Sequence, residues 1–320
     1  MLKAVRTLVV AVLLLSTLAV VAPTGAHEDG EIIIYNVWAR PAMHGGMGEG
    51  SMAEPSATAE AGMGEGMMGA GGIGAAYMTI ENRGGHDIEL VSVASPISKV
   101  VEIHEVIMEN DVMKMQPIEL LPIAEDDFAE LKPGGFHLML IDLMKPLEPG
   151  MAFPLTLTFN MGDHGTKDVT IAALVATEAP NSDIIVANAY ATPPVEGATI
   201  GSIYMMLENR GTADDALVGA SGDFAEAIEL HETTMRGDTM SMNPVEALAL
   251  PVGKRLTLES GGSHLMVINM DTEAAPAGGA VVLTLSFESG AEVTVAVPVL
   301  GEADGHDHDK EGGHSHGHGG

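Results

Sequence analysis

The chain repeats itself, and no other feature limits its fold as much. "GAAYMTIENRGG" from Gly74 returns as "GSIYMMLENRGT" from Gly201, 127 residues later. The same shift carries "IHEVIMENDVMKMQP" from Ile103 onto "LHETTMRGDTMSMNP" from Leu230. It also carries "GGFHLMLIDL" from Gly134 onto "GGSHLMVINM" from Gly261. One ungapped register over this length means two copies of one structural unit. The copies join near "TEAPNSD", residues 177–183. This places one domain over residues 27–179 and a second over residues 180–301.

Each copy reads as strands. "IELVSVAS", "FPLTLTFN", "VTIAALV", "VVLTLSF" and "EVTVAVPVL" alternate, or run with β-branched residues, between Gly, Pro and Asp turns. Only residues 224–230 suggest a helical turn. Several short strands in roughly 120 residues predict an all-β unit, a Greek-key barrel or sandwich.

The copies differ at one place. "VWARPAM" at Val37 aligns with "AYATPPV" at Ala189, 152 residues later, so the first copy carries 25 extra residues. This insertion, about residues 42–73, is rich in Met and Gly and includes His44, Met47, Met63 and Met67. Without hydrophobic periodicity it reads as a loop. Residues 302–320 form a His-rich tail with His306, His308, His314, His316 and His318.

The N-terminus says where the protein works. Lys3 and Arg6 precede an apolar run over residues 8–22, followed by small residues up to Ala26. That is the layout of a secretory signal peptide over residues 1–26. An uncleaved anchor is the alternative, but the run is short for a bilayer span. The chain has no cysteine, which argues against a lipid-anchored lipoprotein and leaves the core without disulfides. An extracytoplasmic location follows. Asp and Glu outnumber Lys and Arg by 45 to 14, a net charge of −31. Such a surface repels nucleic acid and anionic membranes, so neither is an expected partner.

The chemistry lies in four positions shared by both copies. His104 is followed after ten residues by Met115, then after twenty-one by His137, and after one more by Met139. His231, Met242, His264 and Met266 repeat those spacings. A lone Met in a strand is usually core filler and a lone His a satisfied polar group. Two sets at identical spacing are harder to dismiss. Residues two apart on a strand share a face, so His137 and Met139 can converge on one ion. Two imidazoles and two thioethers make a soft, neutral site, which selects Cu(I) over Zn(II), Mg(II) or Ca(II). Thioethers also need no deprotonation. Met108, Met113, Met235 and Met240 match across the copies as well and read chiefly as flanking packing residues.

With these residues in view, the chain resembles the PCu(A)C periplasmic copper chaperones, whose motif has the same spacing. "HEVIMENDVMKMQPI" and "LKPGGFHLMLIDLMKPLEPG" carry the likeness most closely. The second copy has "LTLESGG" where the first has "AELKPGG". The resemblance implies cupredoxin-like domains in tandem, each binding one Cu(I). It implies His104, Met115, His137 and Met139, and equally His231, Met242, His264 and Met266, as ligands. It further implies transfer to a copper-accepting protein, either the CuA subunit of cytochrome c oxidase or another copper chaperone.

Other functions fit less well. Copper sequestration for tolerance is the alternative, favoured by the Met-rich insertion and by a tail offering imidazoles to Cu(II) or Zn(II). A blue-copper electron carrier needs a Cys thiolate, and there is none. No Ser-His-Asp grouping, phosphate loop or hydrolytic zinc motif points to an enzyme or to a small-molecule substrate.

Overall fold

The computed structural model describes residues 32–43, 71–109, 112–236 and 239–300. The expected signal peptide, nearly all of the Met/Gly-rich insertion and the His-rich tail lie outside these residues. The described residues form twenty strands and one 3₁₀ turn, Gly162–His164, so the chain is all-β.

Two layers build each domain. In the first domain, one layer runs β5 (Val112–Ile118), β4 (Ser98–Glu109), β8 (His137–Leu143), β2 (Gly74–Asn82) and β1 (Ile32–Ala39). The short β7 (Phe128–Leu131) also pairs with β2. The other layer runs β10 (Thr166–Val175), β9 (Ala152–Asn160), β3 (Ile88–Ala94) and β6 (Leu121–Ile123). The second domain repeats this plan. One layer orders β15 (Thr239–Pro244), β14 (Ala225–Arg236), β18 (Ser263–Met270), β12 (Gly201–Asn209) and β11 (Ile184–Thr192), with β17 (Arg255–Leu258) on β12. Its partner layer orders β16 (Leu248–Leu250), β13 (Asp215–Ser221), β19 (Ala280–Phe287) and β20 (Glu292–Pro298). Among the described residues the strand paths end on unpaired edges, so these are open sandwiches.

Alternation explains the layers. In "FPLTLTFN", Phe153, Leu155, Leu157 and Phe159 are all at most 1% exposed, while the threonines between them face outward. They meet Leu138, Leu140 and Ile80 from the opposite layer to form the first core. A second core, centred on Leu207, Leu217, Leu265 and Leu285, fills the other domain. The helical turn expected over residues 224–230 is instead the start of β14, which pairs with β18 from Ala225 to Glu232. Its apolar residues are too few to fix a period, and the ladder with β18 decides the backbone.

A bulge lets one strand serve both layers. β1 pairs with β2 up to Tyr35, shifts register, and resumes at Trp38, where it also pairs in parallel with β10. Asn36 sits inside the shift with φ of 52°, a left-handed conformation that Asn tolerates better than most residues. β11 shifts likewise against β12, with Asn188 at φ 50°, and then bridges in parallel from Ala191 to Val299, just past β20.

The same two strands join the domains. β1 and β11 meet antiparallel at Tyr35 and Ala187, and the Asn188 side chain accepts from the Ile34 N–H and donates to the Ile32 carbonyl. Ile33, Tyr35, Ile185, Ala187 and Met206 form a small buried cluster there. Around it runs a reciprocal charge network. Arg210 donates to Glu81 at 2.8 Å and to the Tyr35 hydroxyl at 2.9 Å, while Arg83 reaches Glu208 at 3.2 Å. Burial opposes ionisation of Glu81, but hydrogen bonds from Tyr35, Arg210 and Arg83 prevail and hold its carboxyl below the usual range. Each residue contacts the copy-partner of its own neighbour, the signature of a near two-fold interface. Arg210→Ala is expected to cost about 1 kcal/mol, because the guanidinium is one-third exposed. Faster proteolysis between residues 176 and 183 would show the loosened junction. Cleavage at the wild-type rate would mean that the apolar cluster alone holds the domains.

Candidate metal centres

Strand register builds each centre. β4 and β8 are antiparallel neighbours, with His104 opposite His137 and Glu102 opposite Met139. Directly opposed residues project to the same face. Ile103, Leu138 and Leu140 on the other face belong to the core, so the histidines lie on the outer face of the sandwich. Their ring centroids are 5.6 Å apart. In the second domain His231 stands opposite His264 and Glu229 opposite Met266, with centroids 5.8 Å apart. All four imidazoles are at least 93% buried, although they are on the outer face. An aromatic pair stands on β1 and β2 in the first domain and on β11 and β12 in the second. Trp38 packs on Tyr77 at 4.7 Å, and Tyr190 on Tyr204 at 5.1 Å, with Tyr204 also 6.4 Å from His264.

Hydrogen bonds fix what each ring offers. His104 donates from Nε2 to Glu102 at 2.8 Å, and His231 donates from Nε2 to Glu229 at 3.0 Å. That assigns the proton to Nε2 and leaves Nδ1 with a lone pair. Both Nδ1 atoms are buried and have no hydrogen-bond partner among the described residues. His137 and His264 are held the opposite way, Nδ1 donating to the Gly135 carbonyl at 3.0 Å and the Gly262 carbonyl at 3.2 Å. Their Nε2 atoms then carry the lone pairs. An imidazole oriented by a carboxylate or carbonyl through one nitrogen is prepared to ligate a metal through the other.

The turn before each second histidine supplies that carbonyl. Gly134 has φ of 81° and Gly261 has φ of 79°, a backbone that favours glycine. The turn closes through Lys132 N–H to Phe136 O in one copy and Glu259 N–H to Ser263 O in the other. The wording differs, "LKPGG" against "LESGG", but the hydrogen bonds are the same.

Burial holds the His137 imidazole below the usual histidine range. The Gly135 hydrogen bond opposes this shift and repulsion from His104 adds to it. The ring is therefore neutral at neutral pH. For the metal-free protein the unfolded chain takes up this proton first, so stability is full above about pH 6.5 and falls as pH drops through that value. It levels off once the folded ring is protonated too. His137→Gln should flatten part of this slope in denaturant midpoints taken from about pH 8 to pH 5. Equal slopes in both proteins would rule His137 out as the cause.

The thioethers are not equivalent. Met139 is buried beside the two histidines, whereas Met115 is 50% and Met242 is 60% exposed. Met115 stands opposite Val106, one same-face position beyond His104, and Met242 likewise stands opposite Thr233. In the first domain three expected residues thus gather in a buried group, with the fourth at its rim; in the second Met266 is only partly buried beside the two histidines. Met108 and Met113 are 65% and 57% exposed, so packing does not explain them. Met235 and Met240 are placed only by backbone pairing, opposite each other across the β14–β15 ladder.

Sequence reasoning missed Glu102 and Glu229. Their signal was present as Glu-x-His in "VEIHE" and "IELHE", two residues apart on one strand face.

Comparison with known proteins decides the family. The family model described as "Putative lipoprotein LpqE-like" matches residues 32–172 and again residues 184–299. The chain belongs to the LpqE-like family. This chain has no cysteine, although the family is described as one of lipoproteins. A "Putative lipoprotein" of Leifsonia xyli subsp. xyli is 31% identical over 104 residues, 32% of this chain and 62% of the relative. An uncharacterized protein of Rickettsia prowazekii is 31% identical over 99 residues, 31% of this chain and 55% of the relative. The chain thus spans less than two thirds of the length of either relative. Among solved structures it is similar to a "Copper-bound PCuAC domain from PmoF2", at 27% identity and a TM-score of 0.32, covering 37% of this chain and 93% of that one. It is also similar to the solution structure of "CuI-DR1885" from Deinococcus radiodurans, at 28% identity and a TM-score of 0.30, covering 35% and 74% of the two chains.

Proposed function

We propose that the protein is an extracytoplasmic copper chaperone. Its cargo is Cu(I), one ion per domain, held by His104, Met115, His137 and Met139 and by His231, Met242, His264 and Met266. It hands that cargo to an acceptor such as the CuA centre of cytochrome c oxidase.

One observation carries this reading. In each domain two buried imidazoles are oriented by fixed acceptors so that their remaining nitrogens carry lone pairs, and one of these nitrogens is buried with no partner among the described residues. A buried polar atom without a partner is costly, and a bound ion removes that cost. Adding thioethers makes the donor set soft and uncharged, which suits Cu(I) over harder divalent ions. The burial difference suits transfer. His104, His137 and Met139 anchor the ion, while exposed Met115 is the ligand an acceptor can replace first. The N-terminal signal layout and the family's lipoprotein description support work outside the cytoplasm.

The test is an anaerobic Cu(I) titration of the protein against a competing chromophoric chelator, followed by mixing with an apo CuA domain. Two tightly held ions per chain that pass to the CuA domain are expected. No tight copper would reject the metal site. Tight copper that never reaches the CuA domain would reject the chaperone reading in favour of sequestration.

A further inference from the structure

The hairpin of β4 and β5 carries more thioether than one copper centre needs. Met108 and Met113 are directly opposed across its ladder, and Met115 follows opposite Val106. No bulge interrupts the register between these pairs and His104, so all three sulfurs share the face of the histidines. The other face sets Ile107 and Val112 among charged and polar residues, with Gln116 donating to Glu105 at 2.7 Å and Lys114 paired with Glu109. Met108, Met113 and Met115 are all at least half exposed. Flexible apolar side chains at such exposure gain little from burial, yet the second domain repeats the pattern. There Met235 is opposite Met240, and Met242 follows opposite Thr233.

We propose that the pair Met108 and Met113 is an outer Cu(I) station through which copper enters and leaves the buried centre of the first domain. The proposal rests on the copper-site reading above. Opposed side chains on neighbouring strands have Cβ atoms about 5 Å apart, close enough for two thioethers to share one soft ion. Met115 lies one same-face position further in, roughly 7 Å along the strand, and the histidines lie beyond it. Copper then moves by ligand exchange. At each step one neutral lone pair, thioether sulfur or imidazole nitrogen, replaces another, the metal stays Cu(I), and no proton or electron is transferred. Two thioethers hold the ion weakly, while the inner centre adds two imidazoles and holds it longer.

The test uses the full chain labelled with 13C at the methionine methyls, titrated anaerobically with Cu(I). Single Met→Leu variants assign the signals. The methyls of Met115 and Met139 should move first, and those of Met108 and Met113 should shift later, in fast exchange. If Met115 and Met139 do not respond, the copper-site reading fails. If they respond while Met108 and Met113 stay fixed through excess copper, the outer station is refuted. In the double variant Met108→Leu with Met113→Leu, equilibrium affinity should be unchanged while release to excess chelator slows about tenfold. Leu preserves the volume of these exposed side chains, so the fold is not at risk. Release at the wild-type rate would overturn the proposal even with the inner centre intact.

Discussion

Replacing His137 with Ala should abolish copper binding by the first domain and leave the second untouched. Affinity at that centre should fall by more than about 100-fold, beyond the 10–100-fold that loss of an outer-shell partner produces. The chain would then hold one Cu(I) tightly instead of two. Independence follows from the fold. The centres lie on opposite sides of the β1–β11 junction, six strand spacings apart along the pairing path, which is roughly 25–30 Å. Trp38 is the sole tryptophan and packs on Tyr77 beside the first centre, so its emission reports that domain alone. His137→Ala should silence the copper response of Trp38, and His264→Ala should leave it intact. Glu102→Ala gives a graded comparison. The His104 ring stays but loses the carboxylate that fixes its tautomer, so an affinity loss of about 10–100-fold is expected. A His137→Ala protein that still bound two ions would eliminate the assigned site. Equal damage to both domains would eliminate their independence.

Asn82→Ala should destabilise the first domain by about 3 kcal/mol or more. Asn82 is fully buried, and its amide donates to the carbonyls of His86 at 2.8 Å, Ala124 at 3.0 Å and Ile123 at 3.1 Å. Its Oδ1 accepts from the Gly84 N–H at 3.1 Å. The methyl of Ala replaces none of these bonds, and each buried group left unpaired costs about 1–3 kcal/mol. Asn209 holds the matching turn in the second domain through Ala213, Leu250 and Gly211. A urea titration followed through Trp38 emission isolates the first domain's transition. An unshifted midpoint would show that water or a rearranged turn replaces the amide.

The shared phrase "ENRG" therefore owes nothing to metal chemistry. Its Asn ties a turn inside each domain, while its Glu and Arg form the network between domains. The sequence showed that these residues recur but not that they have two separate jobs. Glu and Arg two apart on a strand end look like an ordinary solvated pair until the other domain supplies their partners.

Local periodicity carried much of the rest. Alternation over a few residues decides which side chains share a strand face, so His137 with Met139 and His264 with Met266 were legible as pairs. The 127-residue repeat made two like domains legible in the same way. Neither feature says which strands become neighbours, because adjacency is fixed by packing between segments far apart in the chain. Only the tertiary structure placed His104 opposite His137 and gave Glu102 the proton of the His104 Nε2. It alone buried Met139 while leaving Met115 at the rim. Residues 224–230 became strand for the same reason, their weak local preference yielding to the ladder with β18. The sequence by itself determined an all-β tandem and the soft donor set of each copy. The tertiary structure decided how those side chains are oriented, which of them lie open to solvent, and how far apart the two clusters stand.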